Sequence, residues 1–340
     1  MGALVESELG RLGARVTIEP QEGYGNNVIG QWGRGDEKGG ILTLCHMDTV
    51  HPTGVLERFP CHRQAGMLYG PGSMDMKAGI AILLAALQMF HEKGQALHRP
   101  LTALFTSDEE TGSEGSRGLI ESLASKASLV LCLEPARPDG ALKTSRKGVG
   151  SFNVVVRGRA AHAGAAHEKG INAIEEMAHQ VIQIQKMTDY EKGTTLNVGA
   201  IQGGTVSNVV PGEARIEVDF RVMRSEEAGR IVEQMHSLMP GLEGAALEVT
   251  GGLNRPPMPR DERMAATFEK ARLIAAKLGL DLTEGGVGSA SDANFVAPLG
   301  VPVLDGLGAQ GDGMHTEGEY VLIDSLPRRA ALLAALLSEW

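Results

Sequence analysis

Apolar runs of strand length alternate with helical periods along the first 146 residues. Residues 40–45 (GILTLC), 101–106 (LTALFT) and 128–133 (SLVLCL) are such runs. A run with no polar alternation predicts a strand covered on both faces, as in a parallel sheet. Residues 77–91 are apolar almost all round and predict a buried helix; residues 116–125 predict another. Residues 5–12 read as a helix ending at Gly13, and 15–19 as a strand. Strand and helix in alternation predict an α/β domain with a mainly parallel sheet.

The pattern changes after Arg146. Residues 151–157, 194–202, 213–221 (EARIEVDFR) and 246–250 read as strands, several of them alternating, and 171–187 and 226–239 have a helical period. Two helices with about four strands predict a self-contained α+β unit. From about Asn254 the first style resumes, with a helix over 264–278, a Gly/Ser-rich loop over 285–291, a strand over 301–304 and a C-terminal helix over 324–337. The expected organisation is therefore a catalytic domain of residues 1–146 plus 254–340, with an α+β domain of residues 147–253 inserted into it.

Composition narrows the partners. The chain has 340 residues, 42 % hydrophobic but only 4 % aromatic, so its core is mainly aliphatic. A formal net charge of −10 argues against nucleic acid or an anionic membrane as partner. The runs 78–90 and 330–337 are too short to span a bilayer and read as buried helices. Cys45, Cys61 and Cys132 form no C-x-x-C pair, which argues against a thiolate zinc site and fits a reducing compartment. The first ten residues lack a basic start and a long apolar stretch, so no secretory signal is expected and the expected location is cytoplasmic.

The chemistry gathers after the buried strands. His46 and Asp48 follow the first run; Asp108, Glu109 and Glu110 the second; Glu134 the third; Asp305, and further on His315, the strand over 301–304. Asp75 lies in a Gly/Pro turn, GPGSMDMKAG, before the buried helix. Open α/β sheets bind ligands beyond the carboxyl ends of their strands, so these groups should meet at one edge. Carboxylates brought together repel, and divalent cations are the usual remedy; His with Asp/Glu suits zinc. His46, Asp75, Glu110, Glu134 and His315 are the candidate ligands. Asp48, two residues from His46, would share its face and orient its ring. Of the adjacent pair Glu109–Glu110, one carboxylate can bind metal while the other moves a proton.

HMDTV, GPGSMDMKAG, TSDEETGSEGS, LEP and GMHTEGEY, in this order, resemble the dizinc aminoacylase/carboxypeptidase superfamily. Within it the resemblance is nearest to bacterial glutamate carboxypeptidases of the folate-hydrolysing type. It runs from about Gly30 to the C-terminus. It implies two zinc ions, with cobalt or manganese as substitutes, bridged by Asp75. His46 and Glu134 would complete one site, Glu110 and His315 the other. Glu109 would be the general base, Asp48 the orienting residue, and the peptide bond after Asp75 cis. The inserted unit resembles the family's dimerisation or lid domain, which implies a homodimer through it. There His162 (AAHAG) would stabilise the oxyanion, and Asn208 (SNVVPG) and Arg221 (VDFRV) would hold substrate carbonyl and carboxylate groups, with Gly308 lining the same pocket. Arg221 could instead pair with Asp219 or Glu217, and Asp292 in SASDANF is left open as a supporting residue.

Relatives usually carry about 30 more residues before the point matching Met1, so a longer native N-terminus is expected. The implied activity is hydrolysis of an amide next to a free carboxylate in a small peptide or N-acyl amino acid, as in a carboxypeptidase releasing C-terminal glutamate. The alternatives are an N-acyl amino acid deacylase of the acetylornithine or succinyl-diaminopimelate type, a dipeptidase, or an inactive binding protein on the same fold.

Overall fold

The three apolar runs of the first half lie side by side in one six-stranded sheet. The computed structural model describes residues 1–33 and 39–340. The sheet order is Arg15–Glu19, Asn27–Trp32, Leu101–Thr106, Gly40–His46, Ala127–Cys132, Val303–Leu304. Ile41, Cys45, Ala103, Phe105, Leu129 and Leu131 pack into one core cluster; Leu42, Leu44, Leu104, Val130 and Cys132 pack into another. Burial on both faces is why these strands show no polar alternation.

The sheet is mixed, which corrects the expectation of a mainly parallel one. Leu101–Thr106, Gly40–His46, Ala127–Cys132 and Val303–Leu304 pair in parallel, but Asn27–Trp32 pairs antiparallel with both of its neighbours. Asn27–Trp32 carries no strand signal because Gly30 interrupts it. That glycine makes room for a helix: a Cβ there would sit 3.0 Å from Leu9 Cδ1, in Gly2–Arg11. The loop expected over 285–291 is corrected as well. Glu284–Val287 is a strand, parallel to Leu142–Arg146. Its glycines hide it; a Cβ on Gly285 would meet the Arg137 guanidinium at 2.4 Å.

The chain divides into two compact units. The larger comprises Met1–Arg146, Met258–Val287 and Ser291–Trp340; the smaller comprises Lys147–Pro257 and Gly288–Ala290. In the larger unit, Ala78–Glu92 and Ser325–Glu339 pack together in the first core cluster. Ser73–Glu92 is the one described helical stretch long and apolar enough to cross a membrane, and 67 % of its most apolar window is buried in the core. The smaller unit is a four-stranded antiparallel sheet, ordered Thr195–Gly203, Glu213–Val222, Gly148–Arg157, Ala246–Arg255. Phe152, Val154, Ile216, Val218 and Phe220 point to one face and bury against Met177 and Ile184 of Ala173–Gln185 and Ile231 and Met235 of Ser225–His236.

The helix Ala78–Glu92 presses on the sheet edge that precedes Glu134. A Cβ on Gly79 would lie 2.1 Å from the Leu133 carbonyl oxygen. In an open helix Gly→Ala gains about 1 kcal/mol. Here the clash is with backbone, so Gly79→Ala is expected to destabilise by about 1–3 kcal/mol, measured by urea unfolding.

Candidate metal centre

Parallel pairing of Leu101–Thr106, Gly40–His46 and Ala127–Cys132 puts their carboxyl ends on one edge. His46 ends its strand, Glu134 follows the third strand by two residues, and Glu109–Thr111 is a 3₁₀ turn just past the second. Asp75 sits in the turn Ser73–Lys77 that opens the helix Ala78–Glu92, and the Asp75–Met76 peptide is cis. His315 comes from the loop between the paired strands Gly311–Asp312 and Tyr320–Leu322, with φ +65°. That left-handed conformation is uncommon for a residue with a Cβ and turns the imidazole back over the strand ends.

The two oxygens of Asp75 face two imidazoles. Oδ1 lies 3.0 Å from His46 Nε2, and Oδ2 lies 3.2 Å from His315 Nε2. Glu134 Oε1 is 3.4 Å from His46 Nε2, and Glu110 Oε2 is 3.4 Å from His315 Nε2. Two triads result, His46/Asp75/Glu134 and Asp75/Glu110/His315, with the ligand atoms of each within 4.8 Å of one another. They share Asp75.

The donor set fits cations. His46 Nδ1 is 3.1 Å from the Asp48 carbonyl oxygen and 3.5 Å from its Oδ1. An N–H at Nδ1 satisfies those acceptors and leaves Nε2 with a lone pair directed at two carboxylates. Facing acceptors repel unless a positive charge lies between them. Glu110 Oε1 is also buried with no hydrogen-bond partner. Nitrogen and carboxylate oxygen in this number suit zinc or a similar divalent ion.

The protonation shifts tell the same story. Burial opposes charge on His46, but the carboxylates of Asp48, Asp75 and Glu134 outweigh it and hold the imidazole well above its ordinary range. His315 is raised by its bond to Asp75. Asp75 is resisted by burial, yet the two imidazoles push it well below its ordinary range. Burial and the charge of Asp75 push Glu110 up to about 7.

Carboxylates that take no part in the triads hold the segments that do. Asp48 Oδ2 accepts the Glu110 N–H at 2.9 Å, so one residue touches both halves of the centre. Asp108, which follows the same strand as Glu109, is buried and turned away; it accepts the Gly115 and Ser116 N–H groups. Asp292 accepts from Ser113 Oγ at 2.5 Å and Thr106 Oγ1 at 3.3 Å, which pins the Glu109–Glu110 turn at both ends. Gly308 donates to the Glu134 carbonyl at 2.8 Å, and a Cβ there would lie 2.4 Å from the Leu133 oxygen.

Two groups escaped the sequence pattern, Glu319 and Arg146. Glu319, fully buried, accepts the N–H groups of Gly72, Met74 and Asp75 at 2.7, 2.7 and 2.9 Å and contacts His51 Nε2 at 3.1 Å. Its signal was its place in GMHTEGEY, four residues past His315. Arg146 reaches Glu134 Oε2 at 3.5 Å and is itself held by Asp305 at 2.6 Å. Asp305 had a strand-end signal; Arg146, at a pattern boundary, had none.

His162, Asn208 and Arg221 belong to the smaller unit. Ala161–His162 pairs with Val209–Val210, and the Ala163 N–H reaches the Asn208 carbonyl, so His162 and Asn208 are neighbours. His162 Nδ1 accepts from the Gly164 and Ala165 N–H groups at 3.1 Å each, which leaves the proton on Nε2. Arg221 forms a forked pair with Asp219, at 2.9 and 2.8 Å.

The pH dependence of the metal-free protein follows. Glu110 keeps when folded a proton that its unfolded form gives up near 4.5, so stability falls as pH rises from about 4.5 to about 7. The contributions of His46 and His315 are complete below 6.5 and are lost as pH rises through their raised values. Asp48 and Asp75 act oppositely, but only on acidification below 3.8. The Tm of metal-free protein is therefore expected to fall between pH 5 and pH 8, Glu110 accounting for roughly 3 kcal/mol. Added zinc should reverse the trend; calorimetry with and without metal measures both.

A model of peptidase family M20/M25/M40 matches residues 42–339. The chain is 34 % identical over 346 residues to carboxypeptidase G2 of Pseudomonas sp. (strain RS-16), covering 99 % of this chain and 83 % of that protein. It is 28 % identical over 331 residues to succinyl-diaminopimelate desuccinylase of Alkalilimnicola ehrlichii, covering 90 % and 86 %. The fold is similar to that of a tripeptidase from Staphylococcus aureus, with a TM-score of 0.81 at 23 % identity over 99 % of this chain and 91 % of that one. The chain belongs to peptidase family M20/M25/M40 and is a metallo-amidohydrolase.

Proposed function

We propose that the chain is a zinc-dependent carboxypeptidase that releases C-terminal glutamate, or a similar amino acid, from a small peptide or N-acyl amino acid. The observation that carries the chemistry is the pair of ligand triads sharing Asp75, with Glu109 next in sequence to the ligand Glu110. The substrate class is supported by the 34 % identity to carboxypeptidase G2. A second reading, an N-acyl amino acid deacylase of the succinyl-diaminopimelate or acetylornithine type, is favoured by the 28 % identity to the desuccinylase.

In this reading His46, Asp75 and Glu134 hold one ion and Asp75, Glu110 and His315 the other. When bound, the ions supply Lewis acidity to a water molecule and to the scissile carbonyl. Glu109 takes the proton of the attacking water on its carboxylate and returns it to the leaving amine. Its place in the turn Glu109–Thr111, directly before Glu110, supports this role. Asp48 keeps the His46 ring in one tautomer. His162, with its proton on Nε2, is suited to donate to the oxyanion, and Asn208 to orient the substrate carbonyl. Arg221 would take the substrate carboxylate by giving up Asp219.

We also propose a homodimer through the smaller unit. Thr195–Gly203 is an edge strand, and Ile201 is 60 % exposed on it; Ile182 on the neighbouring helix is 57 % exposed. Ile182→Glu with Ile201→Asp should yield a monomer in sedimentation; a wild-type monomer would refute the assignment. The three free thiols suit a reducing compartment, in keeping with a cytoplasmic location.

Activity is tested with a panel of N-acyl-glutamates, folate, acetylornithine, succinyl-diaminopimelate and dipeptides. Glutamate release is expected. Acetate or succinate release without any cleavage of C-terminal glutamate would replace the first reading by the second. Glu109→Ala is expected to lower kcat by at least about 10²–10⁴-fold while elemental analysis still finds two metals per chain.

A further inference from the structure

Ser113 closes the turn that carries Glu109 and Glu110. Its N–H donates to the Asp108 carbonyl at 2.8 Å, so residues 109–112 loop out between the two. The closure uses two consecutive left-handed residues, Gly112 with φ +105° and Ser113 with φ +57°. Glycine adopts that conformation at no steric cost, whereas a serine carries a Cβ and is strained there. Ser113 is also fully buried, so water is no partner for its hydroxyl. A glycine would suit this backbone better. What the serine adds is its Oγ.

That hydroxyl donates to Asp292 Oδ1 at 2.5 Å. The other Asp292 oxygen accepts from Oγ1 of Thr106, which ends the strand before the turn, at 3.3 Å. Asp292 is only 4 % exposed, and a carboxylate so buried is costly unless it is bonded. It stands on a rigid base. The Ser291 N–H donates to Asn294 Oδ1 at 2.9 Å, the Asn294 N–H returns to the Ser291 carbonyl at 3.0 Å, and the short helix Ala293–Val296 follows. A strained backbone and a buried acid, 179 residues apart in sequence, thus restrain one segment, and that segment holds Glu109.

We infer that Ser113 and Asp292 are a positioning pair for proton transfer, keeping the Glu109 carboxylate aimed at the attacking water while Glu110 holds metal. The inference rests on the reading of Glu109 as the general base. Neither residue touches substrate or moves a proton; each acts through the turn. A misplacement of about 1 Å lowers a rate by about 10²-fold, so strain at Ser113 is offset in catalysis rather than in stability.

The test uses full-length, metal-loaded protein carrying Ser113→Gly, Ser113→Ala, Asp292→Ala or Asp292→Asn. Both serine variants lose the hydroxyl, but only glycine also relieves the backbone. In both, kcat for an N-acyl-glutamate should fall about 10- to 100-fold with KM unchanged and two metals kept. Tm should nevertheless be higher in Ser113→Gly than in Ser113→Ala. Asp292→Ala should lower kcat about 100-fold, and Asp292→Asn, which keeps an acceptor for Ser113, should recover most of the loss. Where Asp292→Ala does not fold, the serine variants decide. If kcat follows Tm across the variants, or is unchanged in Ser113→Gly, the inference is overturned. Loss of a metal ion from Ser113→Gly overturns it too, since the pair would then support Glu110 instead. Hydrogen exchange at residues 109–112 separates the inference from the broader reading. Protection there should drop about 10- to 100-fold in Ser113→Gly. If wild type cleaves no amide, the proposed function fails, yet lost protection still supports the pair as the restraint on the turn. Protection retained in the variant refutes it.

Discussion

The two oxygens of Asp75, each facing the Nε2 of a different histidine, are the constraint around which the larger unit is arranged. A carboxylate can serve two ions only if both lone-pair directions are fixed. Rotamer preference alone does not fix them. Here the backbone before the side chain is clamped: Glu319 accepts three consecutive turn N–H groups, the last of them Asp75's own. An ionised acceptor makes these bonds stronger than neutral ones. Glu319 spends its charge on the backbone rather than on the ions, which explains why a sixth acid beside the centre adds no ligand.

The same device recurs around the site. Asp48, Asp108 and Asp292 bind N–H and hydroxyl groups of the segment from Thr106 to Ser116, so the Glu109–Glu110 turn is anchored before, within and after itself. Arg146 and Asp305 form the complementary case, a buried ion pair backing Glu134. Such a pair contributes little net stability. Its value is that it leaves Glu134 one oxygen for His46 and commits the other.

The strand ends were legible in the sequence because burial on both faces writes itself as unbroken apolar runs, and chemistry placed just after such a run stands out. His46, the Glu109–Glu110 pair and Glu134 were found that way; Asp75 and His315 needed their glycine-rich surroundings. What the sequence concealed has a common cause. Asn27–Trp32 and Glu284–Val287 contain glycines crowded by neighbouring side chains, so their composition looks like turns, and the antiparallel edge was missed. Glu319 and Arg146 act through contacts distant in sequence, and no local spacing encodes partners 247 and 159 positions away. Arg221 illustrates the reverse: on an antiparallel strand residues i and i+2 share a face, so Asp219 was always an available partner.

The clamp by Glu319 has a consequence for how the centre comes into being. Asp75 and His315 are 240 residues apart, and Gly72 and Glu319 are 247 apart. During synthesis the segment around Asp75 waits for almost the entire chain before its orienting partner exists. A polypeptide that stops short of the hairpin Gly311–Leu322 can present His46 and Glu134, but it has neither the second imidazole nor the clamp. The two triads are thereby complete only when both ends of the larger unit have met. Assembly of the site around Asp75 is in this sense a late event of the fold, made by its first quarter and its last thirty residues together.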